Sequence, residues 1–185
     1  MQNPRIGKFP ALATAWLLAI ALLHAALPAS AKTPAGWNFI EYNEAIQVAK
    51  QQGKPVFVYF GFATCPYCEF ANRNTFSSEE LRKLYSEHYV LAYFDIRGNP
   101  EDMMTLHDGS KKSRAESIKH LKGSPVPGWM FIDSRDGREI LQRKGSRTKV
   151  EAFKQFDAYV AGGAYKTATY EQFLASRGWV EEKVE

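Results

Sequence analysis

Two unbroken apolar runs of strand length limit the folds open to this chain. The first, KPVFVYFGF at residues 54–62, is followed almost at once by the only two cysteines, and the second is YVLAYFDI at residues 89–96. Runs without polar alternation predict strands that are covered on both faces. Apolar residues at helical spacing in NEAIQVAKQQGK, residues 43–54, precede the first run. Helices that alternate with buried strands predict an α/β fold with helices on both faces of a central sheet.

The second half of the chain adds an antiparallel element. The sequence GWMFIDSRDGREILQRKG, residues 128–145, predicts a β-hairpin with its turn at Asp136–Gly137, so the predicted sheet is mixed. Residues 97–114 are polar and interrupted by glycine and proline, which predicts an irregular excursion.

A short helix at AESIKHL, residues 115–121, and three further helices complete the predicted elements. SSEELRKLYSEHY is predicted to begin with a capping box in which Ser77 and Glu80 are the paired residues. Two more helices are predicted near the C-terminus: VEAFKQFDAYVA, which starts at Val150, and YEQFLASRG, which starts at Tyr170.

The first 31 residues have the pattern of a secretory signal peptide: a basic start, an apolar stretch and the small-residue sequence ASA at 29–31. A retained membrane anchor is the alternative, because the apolar stretch approaches the ~20 residues that a spanning helix needs. Cleavage near Ala31 predicts a periplasmic or otherwise exported protein. Residues 32–185 are then one domain with a C-terminal helical extension over about 148–185.

Charge and ligand spacing exclude two classes of function. The formal net charge is +4 at pH 7, and loss of the leader leaves about +2, which gives no reason to expect a nucleic-acid partner. The two cysteines lack a second pair, and the histidines have no ligand spacing to them, so no zinc pattern is present. His88, His107 and His120 are expected at the surface.

The cysteine pair is better suited to redox chemistry than to holding the fold together. An exported protein meets oxidising conditions, in which disulfides form and persist. A bridge between Cys65 and Cys68 closes a very short loop, and in the chain-entropy model stabilisation grows with loop length. Such a pair contributes little stability but switches readily between dithiol and disulfide.

A helix that begins at CPYC would activate the first thiol. Cys65 would lie at the helix N-terminus, where unpaired N–H groups and the helix dipole favour a thiolate, which is the attacking species. Cys68 would lie about one turn along the same face, within reach of a mixed disulfide. Pro66 suits the first turn, because the N–H that proline lacks would be unpaired there anyway.

A proline at the start of the next apolar strand is a second candidate feature. Val126–Pro127 directly precedes GWMFID, and such prolines are often cis and near an active site. An ordinary trans proline is the alternative, and Pro125 is a nearby competitor. Pro127 is the preferred candidate because it adjoins the strand.

The chain resembles the thioredoxin superfamily over residues 37–165. Three segments occur in the order typical of that superfamily: KPVFVYFGFATCPYC, then YVLAYFDIRGNP, then VPGWMFIDSRDGREI. The resemblance implies a thioredoxin fold with Cys65 as nucleophile and Cys68 as resolving thiol. It also implies that Pro127 is a cis-proline facing them, and that the backbone of Val126 pairs with an extended substrate segment. Two further segments are most similar to exported bacterial thioredoxin-like proteins associated with sulfur oxidation, the SoxW-like type. They are NTFSSEELRKLYSEHYVLAYFDI and AGGAYKTATYEQFLASRGW.

The chain departs from this family at the proton-handling positions. Tyr59 stands where thioredoxins usually have a buried aspartate, and Tyr93 stands where a lysine is common. The acid–base mechanism of the family therefore does not carry over directly. Water, Glu69 or another group would have to accept the proton of Cys68.

Aromatic residues near the motif are candidates for substrate contact. Tyr67, between the cysteines, and Trp129, just after the proline, are expected at the site together with Pro66. Phe62 and Phe70 are expected in the core.

These features predict an exported thiol–disulfide oxidoreductase that needs no cofactor and no metal. Its expected partners are a protein substrate and a membrane or soluble thiol electron donor. Resemblance favours a reductant, and Pro-Tyr is the dipeptide of glutaredoxins, whose potentials are roughly −200 to −230 mV. An isomerase or an oxidant remains an alternative, as does a Cu(I) carrier using the same thiols. A further alternative is a binding module in which the cysteine pair is vestigial.

Overall fold

The computed structural model describes residues 33–181, and a five-stranded mixed sheet forms their centre. The sheet strands are β1 (Ile40–Glu41), β2 (Val56–Gly61), β3 (Val90–Asp95), β6 (Gly128–Asp133) and β7 (Arg138–Lys144). The strand order is β1-β3-β2-β6-β7; the first three are parallel, whereas β6 is antiparallel to β2 and β7 to β6. The thioredoxin fold and the hairpin at one sheet edge are therefore confirmed.

Helices cover both faces of the sheet. One face packs against α2, α3, α5 and α6, and the other packs against α1 and the segment around α4. Alternate residues of each strand enter the two cores, because successive side chains of a strand point to opposite faces. The helices are α1 (Tyr42–Gln52), α2 (Pro66–Asn74), α3 (Glu79–His88), α4 (Arg114–His120), α5 (Val150–Val160) and α6 (Tyr170–Ser176), with a 3₁₀ turn at Ala164–Lys166.

The excursion after β3 is more ordered than its composition predicts. It contains two short antiparallel strands, β4 (Met103–Thr105) and β5 (Lys111–Ser113). The Asn43 side-chain oxygen of α1 accepts a hydrogen bond from the Thr105 N–H at 3.0 Å. Three-residue strands are too short to show a period of two, so tertiary contacts reveal what the sequence pattern does not.

The capping prediction for α3 is wrong by one residue. The Ser78 hydroxyl accepts the Leu81 N–H at 3.2 Å and is the N-cap, whereas the Ser77 hydroxyl donates to the Arg73 carbonyl at 2.7 Å. Two adjacent serines both fit an N-cap, and the turn that leaves α2 decides between them.

The surface assignment of His107 is also wrong. Its ring is buried, with Nδ1 3.0 Å from the Tyr42 hydroxyl and Nε2 3.6 Å from the Glu139 carboxylate. The excursion carries this residue beneath the end of the β6–β7 hairpin, where the Gly137 backbone approaches the His107 carbonyl. His107 therefore joins three distant parts of the chain.

The predicted leader, residues 1–31, lies outside the described residues. Within residues 33–181, no helix combines the length and the apolar character needed to cross a membrane. Beyond β7, the predicted extension contains α5, the 3₁₀ turn and α6.

Candidate active site

The cysteine pair lies where β2 leads into α2. Cys65 is the N-cap of α2, and its sulfur accepts a hydrogen bond from the Cys68 N–H at 3.1 Å. Pro66 occupies the first turn. The two cysteines form a disulfide, with their Cα atoms 5.2 Å apart. The helix start predicted at CPYC is present, and both sulfurs lie on one side of its first turn.

This placement favours a thiolate on Cys65. The first N–H groups of a helix have no partner within the helix, and the helix dipole is positive at that end. The Cys68 N–H is one of these groups and already points at the Cys65 sulfur. When the disulfide is reduced, the same N–H is in position to stabilise negative charge on Cys65.

The residues between the cysteines are exposed, although the cysteines themselves are not. Cys65 and Cys68 have only 4% and 3% of their surface accessible, whereas Tyr67 is 67% exposed. Pro66 is also exposed. A partner molecule would therefore meet the Pro66–Tyr67 dipeptide first.

Two neighbouring phenylalanines have different environments. Phe70 is 38% exposed on α2, so its predicted core position is wrong: it faces outward one turn after the exposed Pro66–Tyr67 dipeptide. Phe62 is half-buried, and the Arg97 guanidinium lies 4.0 Å above the centre of its ring. This cation–π contact holds the segment after β3 against the segment before the cysteines.

The proline segment lies at the same end of the sheet as the cysteine pair. In the antiparallel pairing of β2 with β6, Phe60 is opposite Gly128, so the residues before Gly128 adjoin the end of β2. The Val126–Pro127 peptide bond is cis, as is Ser124–Pro125. Val126 is half-buried and Pro127 is buried.

Main-chain and side-chain hydrogen bonds hold this segment. The Pro127 carbonyl accepts the Gly145 N–H at 3.1 Å. The Lys144 ammonium donates to the Ser124 carbonyl. Residues at the end of β7 therefore fix the segment that adjoins the cysteine pair.

Trp129 is buried, which corrects its predicted role in substrate contact. It has no accessible surface, its ring is stacked on Tyr59 with centroids 6.2 Å apart, and it meets Phe153 at 4.8 Å. Strand alternation turns this side chain toward the face that α2 and α5 cover. Trp129 supports the site from below and cannot touch a substrate.

Two tyrosines occupy the interior behind the cysteines. Tyr59 and Tyr93 are opposite each other on β2 and β3, and they face the same core as the cysteine pair. The Tyr59 hydroxyl donates to Asn72 Oδ1 at 3.1 Å. Burial raises the pKa of both tyrosines well above the usual value of 10, so both hydroxyls are protonated at neutral pH. The interior behind Cys68 is therefore polar but uncharged.

Asn72 is a site residue that sequence reasoning missed. It lies four residues after Cys68, hence on the same face of α2, and this spacing was the available signal. Glu69, a candidate proton acceptor, has a half-exposed carboxylate 3.7 Å from the Arg73 guanidinium. No metal site is evident either: within residues 33–181, no three Cys, His, Asp or Glu side chains converge.

Comparison with known proteins agrees with this architecture. The model of the thioredoxin-like domain family matches residues 42–161. A thioredoxin-fold protein from Helicobacter pylori is 21% identical with a TM-score of 0.56, covering 68% of this chain and 80% of its own. A thioredoxin from Thermus thermophilus is 24% identical with a TM-score of 0.55, and the match covers 69% of this chain and 91% of that thioredoxin. Both structures are similar to this chain in fold.

A relative of very different size matches a short stretch. Spermatogenesis-associated protein 20 of Mus musculus is 31% identical over 58 residues, which are 31% of this chain and 7% of that protein. The matched part is thus a small fraction of the relative. The family match, by contrast, includes the cysteine pair, the proline segment and every strand of the central sheet except β1. The chain belongs to the thioredoxin-like domain family.

Proposed function

We propose that this protein is an exported thiol–disulfide oxidoreductase that reduces disulfides in protein substrates. The observation that carries the proposal is the position of Cys65, which is at once the N-cap of α2 and the disulfide partner of Cys68. An N-cap sulfur is stabilised as the anion, and its partner stands one turn away.

The reaction consists of two exchanges that conserve sulfur and electrons. In the reduced protein, the Cys65 thiolate attacks one sulfur of a substrate disulfide; a Cys65–substrate bond forms, and the other substrate sulfur leaves as a thiolate that takes up a proton. Cys68 loses its proton and attacks the Cys65 sulfur, which releases the second substrate thiol. The substrate gains two electrons, and the protein is left with the Cys65–Cys68 disulfide.

A protein substrate fits the surface around the pair. The exposed Pro66 and Tyr67, with the outward-facing Phe70, offer an apolar rim to an extended chain. Val126 and Pro127 adjoin the end of β2, where the Val126 backbone would pair with that chain. A membrane or soluble thiol donor would then return the pair to the dithiol.

Export and the direction of electron flow rest on the sequence. The leader pattern of residues 1–31 supports export, with cleavage near Ala31. The resemblance to SoxW-like proteins favours a reductant, and the intermediate potentials typical of the Pro-Tyr dipeptide are compatible with that direction.

Cysteine variants of the mature chain test the mechanism. Cys65→Ser removes the nucleophile, so we expect insulin reduction driven by dithiothreitol to fall to background. Cys68→Ser keeps the attack but loses the resolving thiol, so we expect a mixed disulfide with the substrate that gel electrophoresis resolves. Full activity of the Cys65→Ser variant would refute the mechanism.

Equilibration of the same protein with glutathione tests the direction. A reductant requires a potential below about −200 mV. A potential near the roughly −120 mV of a strong oxidant would contradict the proposed direction while leaving the two exchanges intact.

A further inference from the structure

The hydroxyl of Tyr93 is a buried polar group without an evident task. The residue is 7% exposed, and within the described part of the chain its hydroxyl has no hydrogen-bond partner. Most buried hydroxyls in native proteins are hydrogen-bonded, since leaving one unpaired is costly. The neighbouring Tyr59 follows that rule through Asn72.

The backbone of Gly61 brings this hydroxyl and the Cys68 sulfur to one small space. A Cβ atom at Gly61 would stand 3.3 Å from the Tyr93 hydroxyl oxygen and 3.4 Å from the Cys68 sulfur. The Tyr59 ring closes a third side, also at 3.3 Å. Because glycine has no Cβ, the hydroxyl and the sulfur both border the space beside Gly61, and no Gly61 side chain fills that space.

We propose that the Tyr93 hydroxyl donates a hydrogen bond to the Cys68 sulfur once the disulfide opens, and so stabilises the resolving thiolate. This inference rests on the proposed function. In the disulfide, the Cys68 sulfur is bonded to Cys65. Reduction frees the Cys68 sulfur to turn toward Gly61, next to the Tyr93 hydroxyl, which has no other acceptor within residues 33–181. Tyr93 is thus a catalytic residue of the second exchange, because its hydroxyl acts directly on the attacking sulfur.

The surroundings make Tyr93 a donor and not a base. Burial, followed by the Asp95 carboxylate, raises the pKa of Tyr93, so its proton stays on the oxygen at neutral pH. The ionisable groups that border Gly61 together with the Cys68 sulfur are Tyr59 from β2 and Tyr93 from β3. Cys65, the N-cap of α2, is the disulfide partner, and β6 contributes the uncharged Trp129 to the same core. An anion among these rings is poorly solvated, so a hydroxyl donor to it has a large effect.

The chromogenic disulfide dithiobis-nitrobenzoate (DTNB) resolves the two exchanges in time. Reduced protein first attacks DTNB through Cys65, which forms a mixed disulfide and releases one coloured thiolate. Cys68 then attacks the Cys65 sulfur, breaks the mixed disulfide and releases the second. In stopped-flow absorbance, the first phase reports Cys65 and the second phase reports Cys68.

Tyr93→Phe removes only the hydroxyl, and we expect it to slow the second phase at neutral pH. Loss of one hydrogen bond to an anion reduces the thiolate population about tenfold. The remaining thiolate is about threefold more nucleophilic, since nucleophilicity rises with basicity, so the net rate falls about threefold. At a pH high enough to ionise Cys68 in both proteins, the variant should match or exceed the wild-type rate.

Tyr89→Phe is the matched control. Tyr89 is also buried and lies four residues earlier, directly before β3, so its substitution removes a buried tyrosine hydroxyl of the same core that lies away from Gly61. Its removal should leave the second phase unchanged. An unchanged second phase in Tyr93→Phe, or an equal slowing at every pH, would overturn the inference. A wild-type first phase no faster than that of an ordinary free thiol would instead count against the proposed function.

Discussion

Tyr67 and Trp129 have similar predicted roles but opposite environments. Both are aromatic and both are close in sequence to a candidate site feature, yet Tyr67 is exposed and Trp129 is fully buried. The difference arises from the element that carries each residue. The first turn of α2 directs Tyr67 to solvent, whereas β6 alternates and directs Trp129 under α2 and α5.

We therefore expect Tyr67→Ala to impair only reactions with large substrates. Loss of an aromatic contact worth about 1 kcal/mol predicts an approximately fivefold lower kcat/KM for insulin reduction. The rate with DTNB, which is too small to use this contact, should not change. Trp179→Ala, which removes another partly exposed aromatic residue, is the control. An equal loss with both substrates would argue that Tyr67 acts on the cysteines themselves.

At the level of elements, caps and turns decide where the helices begin. The N-cap of α2 is the active-site residue Cys65. The hydrogen bond from the Cys68 N–H to the Cys65 sulfur therefore both caps the helix and contacts the reactive sulfur. Two adjacent serines, Ser77 and Ser78, directly precede α3, and Ser78 is its N-cap. Only one of two adjacent hydroxyls can accept from the third helical N–H.

Ser78→Ala should cost about 1 kcal/mol of unfolding free energy, because Leu81 loses the acceptor for its N–H. Ser77→Ala should cost clearly less, because the Ser77 hydroxyl donates to the Arg73 carbonyl at an exposed site, where water can replace it. Urea unfolding of the two variants measures the difference. A larger loss for Ser77→Ala would restore Ser77 as the N-cap.

At the level of the whole molecule, His107 connects parts that are far apart in sequence. Its ring lies between the Tyr42 hydroxyl of α1 and the Glu139 carboxylate of β7. Burial lowers the pKa of His107 below its usual value, while Glu139 and Asp108 act in the opposite direction. The folded protein therefore favours the neutral ring.

This environment predicts a loss of stability in mild acid. Above about pH 6.5 the ring is neutral in both the folded and the unfolded chain. Below that pH the unfolded chain binds a proton more readily than the folded protein does, so the free energy of unfolding should fall as the pH is lowered from 7 to 5. His107→Gln should reduce this pH dependence, measured by urea unfolding at a series of pH values. An undiminished dependence in His107→Gln would assign the titration to another group.

The amino-acid sequence alone determined the fold and the reactive pair, because their signals are local. Continuous apolar runs predict buried strands, Asp136–Gly137 predicts the hairpin turn, and CPYC after a strand predicts the helix start at Cys65. Each of these depends on a few adjacent residues and on general backbone preferences.

Only the tertiary structure decided what surrounds that pair. The burial of Trp129, the position of His107 and the approach of both Tyr93 and Cys68 to Gly61 each depend on how separate elements pack. The short β4–β5 hairpin depends on its contact with α1 in the same way. Such contacts join residues tens of positions apart, and no periodicity within one segment encodes them.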